Sequence, residues 1–170
     1  MYALDRFREE PPPERPPSER ARFERILDRH HMRLRRAVAG MLPGSDRVDD
    51  VLQEAYLKAY RRLPRRFENE AHEATWLYRV VYRCCLDELR RMRRRREVPV
   101  AEVHTVERVC IDVESSLRAL KPADRAVLLL VDLLDFKYEE AAVILGIPRG
   151  TVASRLNAAR ERLRRSLGDG

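Results

Sequence analysis

The clearest alternation of apolar and polar positions lies between residues 138 and 165. A first apolar stripe ends at Gly146, which suits the left-handed turn after a helix, and Pro148 cannot continue that helix. Thr151 follows as an N-cap or first-turn residue, and a second stripe recurs at helical spacing. The stripes are Ala141, Ala142, Ile144 and Leu145, then Val152, Leu156, Ala159 and Leu163. The pattern predicts a helix-turn-helix, whose second helix can enter a DNA major groove.

The N-terminal half shows the same helical spacing in two further segments. Ser18 is a start signal for the first helix, and Pro43 with Gly44 ends it. Asp46 is expected to cap the second helix, and Pro64 marks its end. The apolar positions are Phe23, Ile26, Leu27, Leu34, Val38 and Met41 in the first helix, and Val48, Val51, Leu52, Ala55 and Ala59 in the second.

The remaining apolar stripes also have helical spacing. Residues 65–75 are polar and weakly periodic, so this stretch is interpreted as a loop or a short helix. A long helix is predicted to follow from Thr75, and another begins near Pro122, a residue that fits a first helical turn. Their buried positions are Trp76, Leu77, Val80, Val81, Cys84 and Leu89, and then Val127, Leu130, Val131 and Leu134. The predicted fold is all-α.

Charge divides the chain into two basic parts and an acidic connection. Residues 79–96 have a net charge of +6 and residues 149–165 of +5, whereas residues 97–116 have a net charge of −4. We therefore predict two small helical domains joined by an acidic linker. The predicted boundaries are a disordered, proline-rich tail at 1–17, a first domain at 18–96, the linker at 97–116 and a second domain at 117–170.

Composition favours a nucleic-acid partner. The chain has 170 residues, a net charge of +7 and a sequence pI near 9.8, with 44% hydrophobic residues to form folded cores. The basic residues are mostly arginines, which can make bidentate contacts to phosphate and guanine.

Cysteine and histidine usage indicates neither a disulfide framework nor a metal site. The chain has three cysteines, of which Cys84 and Cys85 are adjacent and are predicted to be buried small hydrophobes. Cys110 with His104 would have too few further ligands nearby, and the adjacent His30 and His31 face different ways on a helix. A reducing cytoplasm fits this usage, and no segment has a signal-peptide core or the ~20 apolar residues of a membrane span.

Two segments resemble the extracytoplasmic-function sigma factors, the smallest sigma class of bacterial RNA polymerase. The C-terminal match is YEEAAVILGIPRGTVASRLNAARERL, in which the Gly-Thr-Val-x-Ser-Arg-Leu core and the later Ala-Arg carry the most weight. The N-terminal match is DRVDDVLQEAYLKAYRRL. The two occur in the family's order, with the acidic linker between them. The resemblance implies a sigma domain 2 bundle followed by a sigma domain 4 helix-turn-helix.

The N-terminal match implies a polymerase-binding face. In the family, an acidic and polar helix face in this segment docks on the coiled coil of the largest polymerase subunit. The matching residues here are Asp49, Asp50, Gln53, Glu54 and Lys58. The alternative is a helix whose first turn is merely well capped, which explains Asp46 and Asp49 but not Gln53 and Glu54.

The resemblance also implies a site for the −10 promoter element. In the family, a base flipped from the non-template strand is trapped in the loop before the long helix, a task that requires a stacking surface and nearby cations. The matching residues are Phe67, Glu68 and Asn69 in the loop, and Trp76, Arg79, Arg83 and Arg90 in the helix. A tryptophan such as Trp76, taken alone, is more often a core residue than a nucleic-acid contact. The sequence ENEAHEAT departs from the family's commoner loop pattern, so the accepted base stays open.

The second helix of the helix-turn-helix is the implied reader of the −35 element. The candidate contacts are Arg149, Thr151, Ser154, Arg155 and Asn157, with Arg160 and Arg164 for phosphate. Ala153 and Ala158 stand where family members often have basic or aromatic side chains. We therefore predict weak or unusual −35 recognition.

The function implied by the resemblance is promoter-specific transcription initiation, and two other classes of function compete with it. The implied partners are core RNA polymerase and promoter DNA in the cytoplasm, with an anti-sigma protein as a further partner and with no cofactor, metal or membrane insertion. A stand-alone DNA-binding regulator would need only the helix-turn-helix. An enzyme such as a nuclease finds no support in a HExxH motif, a phosphate-binding glycine loop or a CxxC pair.

Overall fold

Helices form the regular structure of residues 17–95 and 108–168, the parts of the chain that the computed structural model describes. No strand occurs within these two ranges, and the all-α prediction is confirmed. In chain order the elements are α1 (Pro17–Met41), α2 (Val48–Arg61), α3 (Glu70–Arg95), α4 (Arg108–Ala119), α5 (Pro122–Leu128), a π-helical turn (Leu129–Leu133), α6 (Tyr138–Leu145) and α7 (Arg149–Gly168).

The first three helices form a bundle in which α1, α2 and α3 contact one another. Their apolar stripes meet inside it, so that Leu34, Val38 and Leu77 are fully buried. Most side chains predicted for the core of α1 and α2 are buried, whereas Leu27 and Val48 are only partly covered. Burial of one face on each helix drives this assembly, because each large aliphatic side chain contributes about 1.5–3 kcal/mol when fully buried.

The start of α2 differs from the prediction. The helix begins at Val48 with Arg47 as its N-cap residue, and the predicted capping role of Asp46 is wrong. The Ser45 hydroxyl instead accepts a hydrogen bond from the backbone N–H of Arg47 at 3.2 Å, and this contact shapes the approach to the helix. Asp49 and Asp50 lie in the first turn as predicted, where acidic groups complement the helix dipole.

α3 begins at Glu70, more than one turn before the predicted start. The Asn69 carboxamide oxygen accepts a hydrogen bond from the His72 backbone N–H at 2.8 Å, and the Asn69 carbonyl accepts one from Glu73 N–H at 3.1 Å. Asn69 is therefore the N-cap residue of α3. The start of α3 was not predicted because its first turn carries few apolar side chains and so shows no helical periodicity.

The C-terminal half holds the predicted helix-turn-helix in α6 and α7. Gly146 has φ +68° and makes the left-handed turn after α6, as predicted. Pro122 begins α5, but the single helix expected beyond it passes into the π-helical turn at Leu129–Leu133. α4 begins at Arg108, inside the segment predicted to be linker, and its Ser116 hydroxyl lies 2.7 Å from the Ser166 hydroxyl of α7.

The two halves of the chain pack against each other. α3 lies along α6, and the rings of Tyr78 and Phe136 meet edge to face with centroids 4.8 Å apart. Arg125 is 4% exposed, and its Nη1 donates a hydrogen bond to the carbonyl of Met41, the last residue of α1, at 2.6 Å. Arg33 on α1 donates to the carbonyl of Leu134. These contacts join both halves into one continuous core.

Several sequence predictions fall outside the described ranges. Of the predicted tail at 1–17, residues 1–16 lie outside these ranges, and of the predicted linker at 97–116, residues 97–107 do. His104, which was weighed with Cys110 as a metal pair and rejected, also lies outside them. The domain boundaries stay a prediction. Among the residues that the structure describes, no helix combines the length and the apolar character needed to cross a membrane.

Candidate nucleic-acid and polymerase interfaces

The second helix of the helix-turn-helix, α7, has one buried and one exposed face. Val152, Leu156 and Ala159 are fully buried against the rest of the C-terminal half, while Leu163 is partly covered. The opposite face presents Ser154 and Asn157 to solvent, as the spacing predicts. Thr151 lies in the first turn, where its N–H donates to the Pro148 carbonyl. This geometry leaves a polar helix face free to approach a polyanion.

Two arginines among the predicted −35 contacts already have acidic partners. Arg160 forms a bidentate ion pair with Asp132, with N–O distances of 2.6 and 3.0 Å. Arg149 pairs with Glu139 on α6, and its guanidinium lies over the Tyr138 ring at 5.9 Å. Both pairs are exposed, so a phosphate could compete for either guanidinium.

The other side chains of the predicted −35 set have varied surroundings. Arg164 is exposed on the later turns of α7, and Ala153 and Ala158 are partly covered. Arg155 is also partly covered and lies near Tyr82 of α3: burial raises the pKa of Tyr82, and the charge of Arg155 opposes that rise. Arg155 therefore lies close enough to α3 for its charge to act on Tyr82.

An aromatic cluster stands at the junction of the α2–α3 loop (residues 62–69) with α3. The Phe67 ring lies 5.3 Å from the Trp76 ring and 5.9 Å from the His72 ring, centroid to centroid. Both Phe67 and Trp76 are partly exposed, so Trp76 is not a fully enclosed core residue. Sequence reasoning selected Phe67 and Trp76 but missed His72, because a lone histidine in a polar stretch has no distinguishing spacing.

Arg22 is a second residue that sequence reasoning missed at this cluster. It projects from α1, and its guanidinium carbon lies 5.2 Å from the centroid of the Phe67 ring. Its Nη1 also donates hydrogen bonds to the carbonyls of Pro64 and Arg65. No pattern within the loop itself could have indicated a contact across more than forty residues of chain.

The two polar residues predicted in the loop, Glu68 and Asn69, differ in how free their side chains are to contact a base. Glu68 is exposed, with 84% of its side chain accessible, and lies 4.0 Å from His72. The Asn69 side chain holds the first turn of α3 through its cap hydrogen bond. Because this bond uses one of the two lone pairs of the carboxamide oxygen and fixes the side chain, Asn69 can offer a base its NH₂ group and one remaining acceptor site in a fixed orientation.

A row of arginines runs along α3 beyond the aromatic cluster. Arg79, Arg83 and Arg90 are exposed, and Arg90 forms an ion pair with Asp87 at 3.0 Å. They line one side of a groove whose other side is the turn from Ile144 to Gly146. The predicted −10 arginines therefore lie together on one helix face, next to the helix-turn-helix.

The predicted polymerase-binding face of α2 divides into exposed and engaged residues. Gln53 is exposed. Asp49 pairs with Arg35 of α1 at 3.2 Å, and Asp50 pairs with Arg47 at 3.0 Å. The acids of both pairs are more than half exposed, so these contacts are weak surface pairs.

Glu54 and Lys58 instead belong to an ion network between α2 and α3. Glu54 accepts hydrogen bonds from Arg91 at 2.9 Å and from Lys58 at 2.6 Å. The Arg91 guanidinium, with Lys58, lowers the pKa of Glu54 from 4.5 to about 2. Arg91 also reaches Glu88 at 3.4 Å, a carboxylate that is 1% exposed. Sequence reasoning did not select Arg91 or Glu88, since neither belongs to the quoted motif.

Other buried ionisable groups serve packing. Glu73 is 7% exposed and accepts a hydrogen bond from Arg29 at 2.7 Å, with His30 at 3.4 Å. Burial lowers the pKa of His30.

Cys84 and Cys85 are buried, as predicted, and burial raises the pKa of both thiols. Within residues 17–95 and 108–168 no group of three or more His, Cys, Asp or Glu side chains is placed to hold a metal ion.

Comparison with known protein families gives two matches. The profile described as "Sigma-70 region 2" matches residues 26–96, and the profile described as "Sigma-70, region 4" matches residues 111–163. The first covers α1 from Ile26 onward, α2 and α3 with the rings of the aromatic cluster, and the second covers α6 and α7 as far as Leu163.

Several individual proteins are similar over most of the chain. The ECF RNA polymerase sigma factor SigM of Mycobacterium tuberculosis is 35% identical over 156 residues, which span 88% of this chain and 79% of SigM. The ECF RNA polymerase sigma-E factor of Escherichia coli K12 is 29% identical over 162 residues, 82% of this chain and 83% of that protein.

Two solved structures have the same fold. The sigma factor RpoE of Bartonella quintana, in complex with the anti-sigma factor NepR, superposes with a TM-score of 0.71 at 23% identity, over 86% of this chain and 97% of RpoE. CnrH, in complex with the cytosolic domain of CnrY, has a TM-score of 0.69 at 25% identity, over 88% of this chain and 90% of CnrH.

Proposed function

The chain belongs to the extracytoplasmic-function sigma factors of the sigma-70 family, and on that premise we propose how its residues divide the work of transcription initiation. A sigma factor binds core RNA polymerase and directs it to promoters, so polymerase and promoter DNA are the partners of this chain. One observation carries the assignment of sites. Helices α2, α3 and α7 each have a face of exposed polar residues, and the three faces are separate.

In our proposal α7 reads the −35 element. Ser154 and Asn157 face solvent on the side opposite the buried stripe, where they can reach base edges. Arg160 and Arg164 lie further along the helix and contact phosphate, for which Arg160 leaves Asp132. The full proposed −35 set is Arg149, Thr151, Ser154, Arg155, Asn157, Arg160 and Arg164.

The −10 element is assigned to the loop before α3 and to the arginine row beyond it. Phe67 and Trp76 offer partly exposed aromatic faces on which an unpaired base can stack. Arg79, Arg83 and Arg90 follow on the same helix and neutralise the backbone of the opened strand. Glu68 and Asn69 complete the proposed set, with Asn69 acting chiefly as the cap that fixes the start of α3.

Polymerase binding is assigned to α2. Asp49, Asp50 and Gln53 are the exposed members of the proposed face and make the direct contacts. Glu54 and Lys58 contribute by holding α2 against α3 through Arg91, so that the exposed members keep their spacing. Substitutions should tell the two roles apart. A substitution at Gln53 should change polymerase affinity alone, whereas one at Glu54 should also change the stability of the fold.

The assignment of the chain to the sigma factors also underlies our proposals on its regulation, its location and its lack of enzymatic activity. RpoE and CnrH form complexes with NepR and CnrY, and we assign this chain an anti-sigma partner of its own by analogy. The chain acts in the cytoplasm, where its polymerase is, and it carries no catalytic reaction. Its contribution to chemistry is to place promoter DNA in the polymerase.

The test is run-off transcription with purified core polymerase and a genomic promoter library, with and without the chain. We expect discrete new transcripts whose upstream DNA shares two elements. Arg155→Ala is expected to reduce these transcripts, because a bidentate base contact contributes ~1–3 kcal/mol of discrimination. Arg165→Ala, which removes an exposed arginine of the same helix outside the proposed set, is the matched control.

Two outcomes would count against the assignment. Absence of polymerase binding would leave a stand-alone DNA-binding regulator as the function of the chain. Equal loss of transcripts with Arg155→Ala and Arg165→Ala would indicate that α7 contributes only general positive charge.

A further inference from the structure

The α2–α3 loop, which carries Phe67, is held by a side chain from a distant helix. Arg22 lies in the second turn of α1, and its Nη1 donates to the carbonyl of Pro64 at 2.8 Å and to the carbonyl of Arg65 at 2.7 Å. One cationic donor thus satisfies two successive carbonyls of the loop. Carbonyls in an irregular segment have no helical partner, so this contact fixes the path of the backbone just before Phe67.

The same guanidinium also covers one face of the Phe67 ring, at 5.2 Å from its centroid. The ring is further bounded by Trp76 and His72, at 5.3 and 5.9 Å. Arg22 is itself only partly exposed. The position and tilt of Phe67 are therefore set from three sides, by a cation on α1 and by two rings on α3.

From this geometry we propose that Arg22 is a positioning residue for promoter opening: it holds the α2–α3 loop and the Phe67 ring in the arrangement that receives the unpaired −10 base. The inference rests on the proposed function, because it takes the aromatic cluster as the −10 site. Arg22 acts through the loop carbonyls and Phe67. A loop that is already ordered loses less conformational freedom when the base arrives.

Arginine is the residue type that this position requires. Its planar fork can reach backbone carbonyls along one edge while its face lies on an aromatic ring. A lysine ammonium also has donors for both carbonyls, but it is a compact charge without a planar face that could lie on the ring at the same time. Glutamine keeps a polar amide but loses the charge that attracts the ring face.

The experiment compares Arg22→Gln with Arg25→Gln in the full chain, assembled with core polymerase. Arg25 is an exposed arginine one turn along the same helix, so both variants lose one positive charge from α1. The template is a promoter recovered by run-off transcription, with 2-aminopurine in the −10 element as the opening probe. We expect Arg22→Gln to slow opening about tenfold while polymerase binding is unchanged, and Arg25→Gln to open at the rate of the unmodified chain.

A template that is already unpaired across the −10 element separates positioning from general damage. On this template the opening rate of Arg22→Gln should be less than about threefold below that of the unmodified chain, because the −10 bases are already unpaired. Arg22→Lys should have an intermediate defect on duplex DNA. Thermal unfolding of each variant checks that the chain is folded at the assay temperature.

A double-mutant cycle with Phe67→Ala tests whether Arg22 acts through the ring. We expect Arg22→Gln to cause little further loss once Phe67 is removed, since residues in contact do not contribute independently. Additive losses, or equal opening rates for Arg22→Gln and the unmodified chain, would overturn the inference. An equal defect in Arg25→Gln would also overturn it, because the effect would then be one of charge alone.

The outcomes also separate this inference from the proposed function. If Phe67→Ala opens the promoter as fast as the unmodified chain, the −10 assignment fails and the inference fails with it. If Phe67→Ala is slow and Arg22→Gln is normal, the −10 assignment stands and only the role of Arg22 is rejected.

Discussion

At the scale of single residues, Asn69 shows how one side chain can carry a structural role within a functional segment. The resemblance to sigma factors places it among the residues near the −10 base. In the structure its carboxamide oxygen accepts the His72 N–H at 2.8 Å, so the side chain closes the first turn of α3. A substitution at this position therefore changes the stability of α3 as well as the surface of the loop.

We predict that Asn69→Ala lowers the free energy of unfolding by about 1 kcal/mol, the usual effect of losing an N-cap. Asn69→Asp keeps an acceptor at the same place and should have a free energy of unfolding close to that of the unmodified chain. Urea unfolding of the free protein measures both. An unchanged stability in Asn69→Ala would show that the cap contributes nothing and would return Asn69 to the direct contacts.

At the scale of elements, the ion network between α2 and α3 is the contact most sensitive to acid. Arg91 and Lys58 stabilise the ionised form of Glu54, whose pKa falls from 4.5 to about 2. A lowered pKa in the folded state stabilises the fold above the unfolded pKa, and this contribution is lost as pH falls from about 5 towards 2. Helix α2 should therefore loosen from α3 in acid.

We predict that Glu54→Gln lowers the free energy of unfolding by about 1–2 kcal/mol at pH 7, since hydrogen bonds to charged groups are stronger than neutral ones. The difference in the free energy of unfolding between Glu54→Gln and the unmodified chain should become smaller as pH is lowered from 5 to 3. Glu161→Gln, which removes an exposed acid that lies 3.6 Å from Arg165, is the control and should have little effect. A pH-independent difference between Glu54→Gln and the unmodified chain would contradict the role of the charge.

At the scale of the whole molecule, the packing of the two halves does not match the layout of a promoter. The −35 and −10 elements lie about 25 base pairs apart, or about 85 Å at 3.4 Å per step. A compact unit of about 140 residues has a diameter of about 40 Å. With α7 on the −35 element and the loop before α3 on the −10 element, as proposed, the arrangement joined by Arg125 and by the Tyr78–Phe136 contact is too short to reach both. We therefore expect the halves to separate on promoter DNA.

We predict that labels on the two halves move apart by more than about 20 Å when the chain binds polymerase and promoter, given the separation of the two elements. Spin labels at Met32 on α1 and Leu167 on α7, both exposed, with Cys110→Ser to remove a competing thiol, allow the distance to be measured by pulsed electron resonance. The free chain provides the reference distance. The same distance in the free and promoter-bound chain would show that the closed arrangement persists.

The accuracy of prediction from sequence followed the length and regularity of each pattern. The helix-turn-helix was predicted down to its turn, because Gly146 with its left-handed φ and the stripe from Val152 to Ala159 are local features. The start of α3 was placed too late, and α4 was not predicted. There, short polar turns and a mixed charge pattern carry little periodicity.

The sequence by itself determined most of the helices and their buried faces, the family, and the arginines that α3 and the later turns of α7 expose, but it did not indicate α4 or the π-helical turn. These depend on residue spacing and on motifs within single segments. Only the tertiary structure decided that Arg22 holds the loop before Phe67, that Arg91 binds Glu54 and that Arg125 joins α5 to the end of α1. Each of these contacts joins residues far apart in the chain, and such pairs are set by the packing of whole helices.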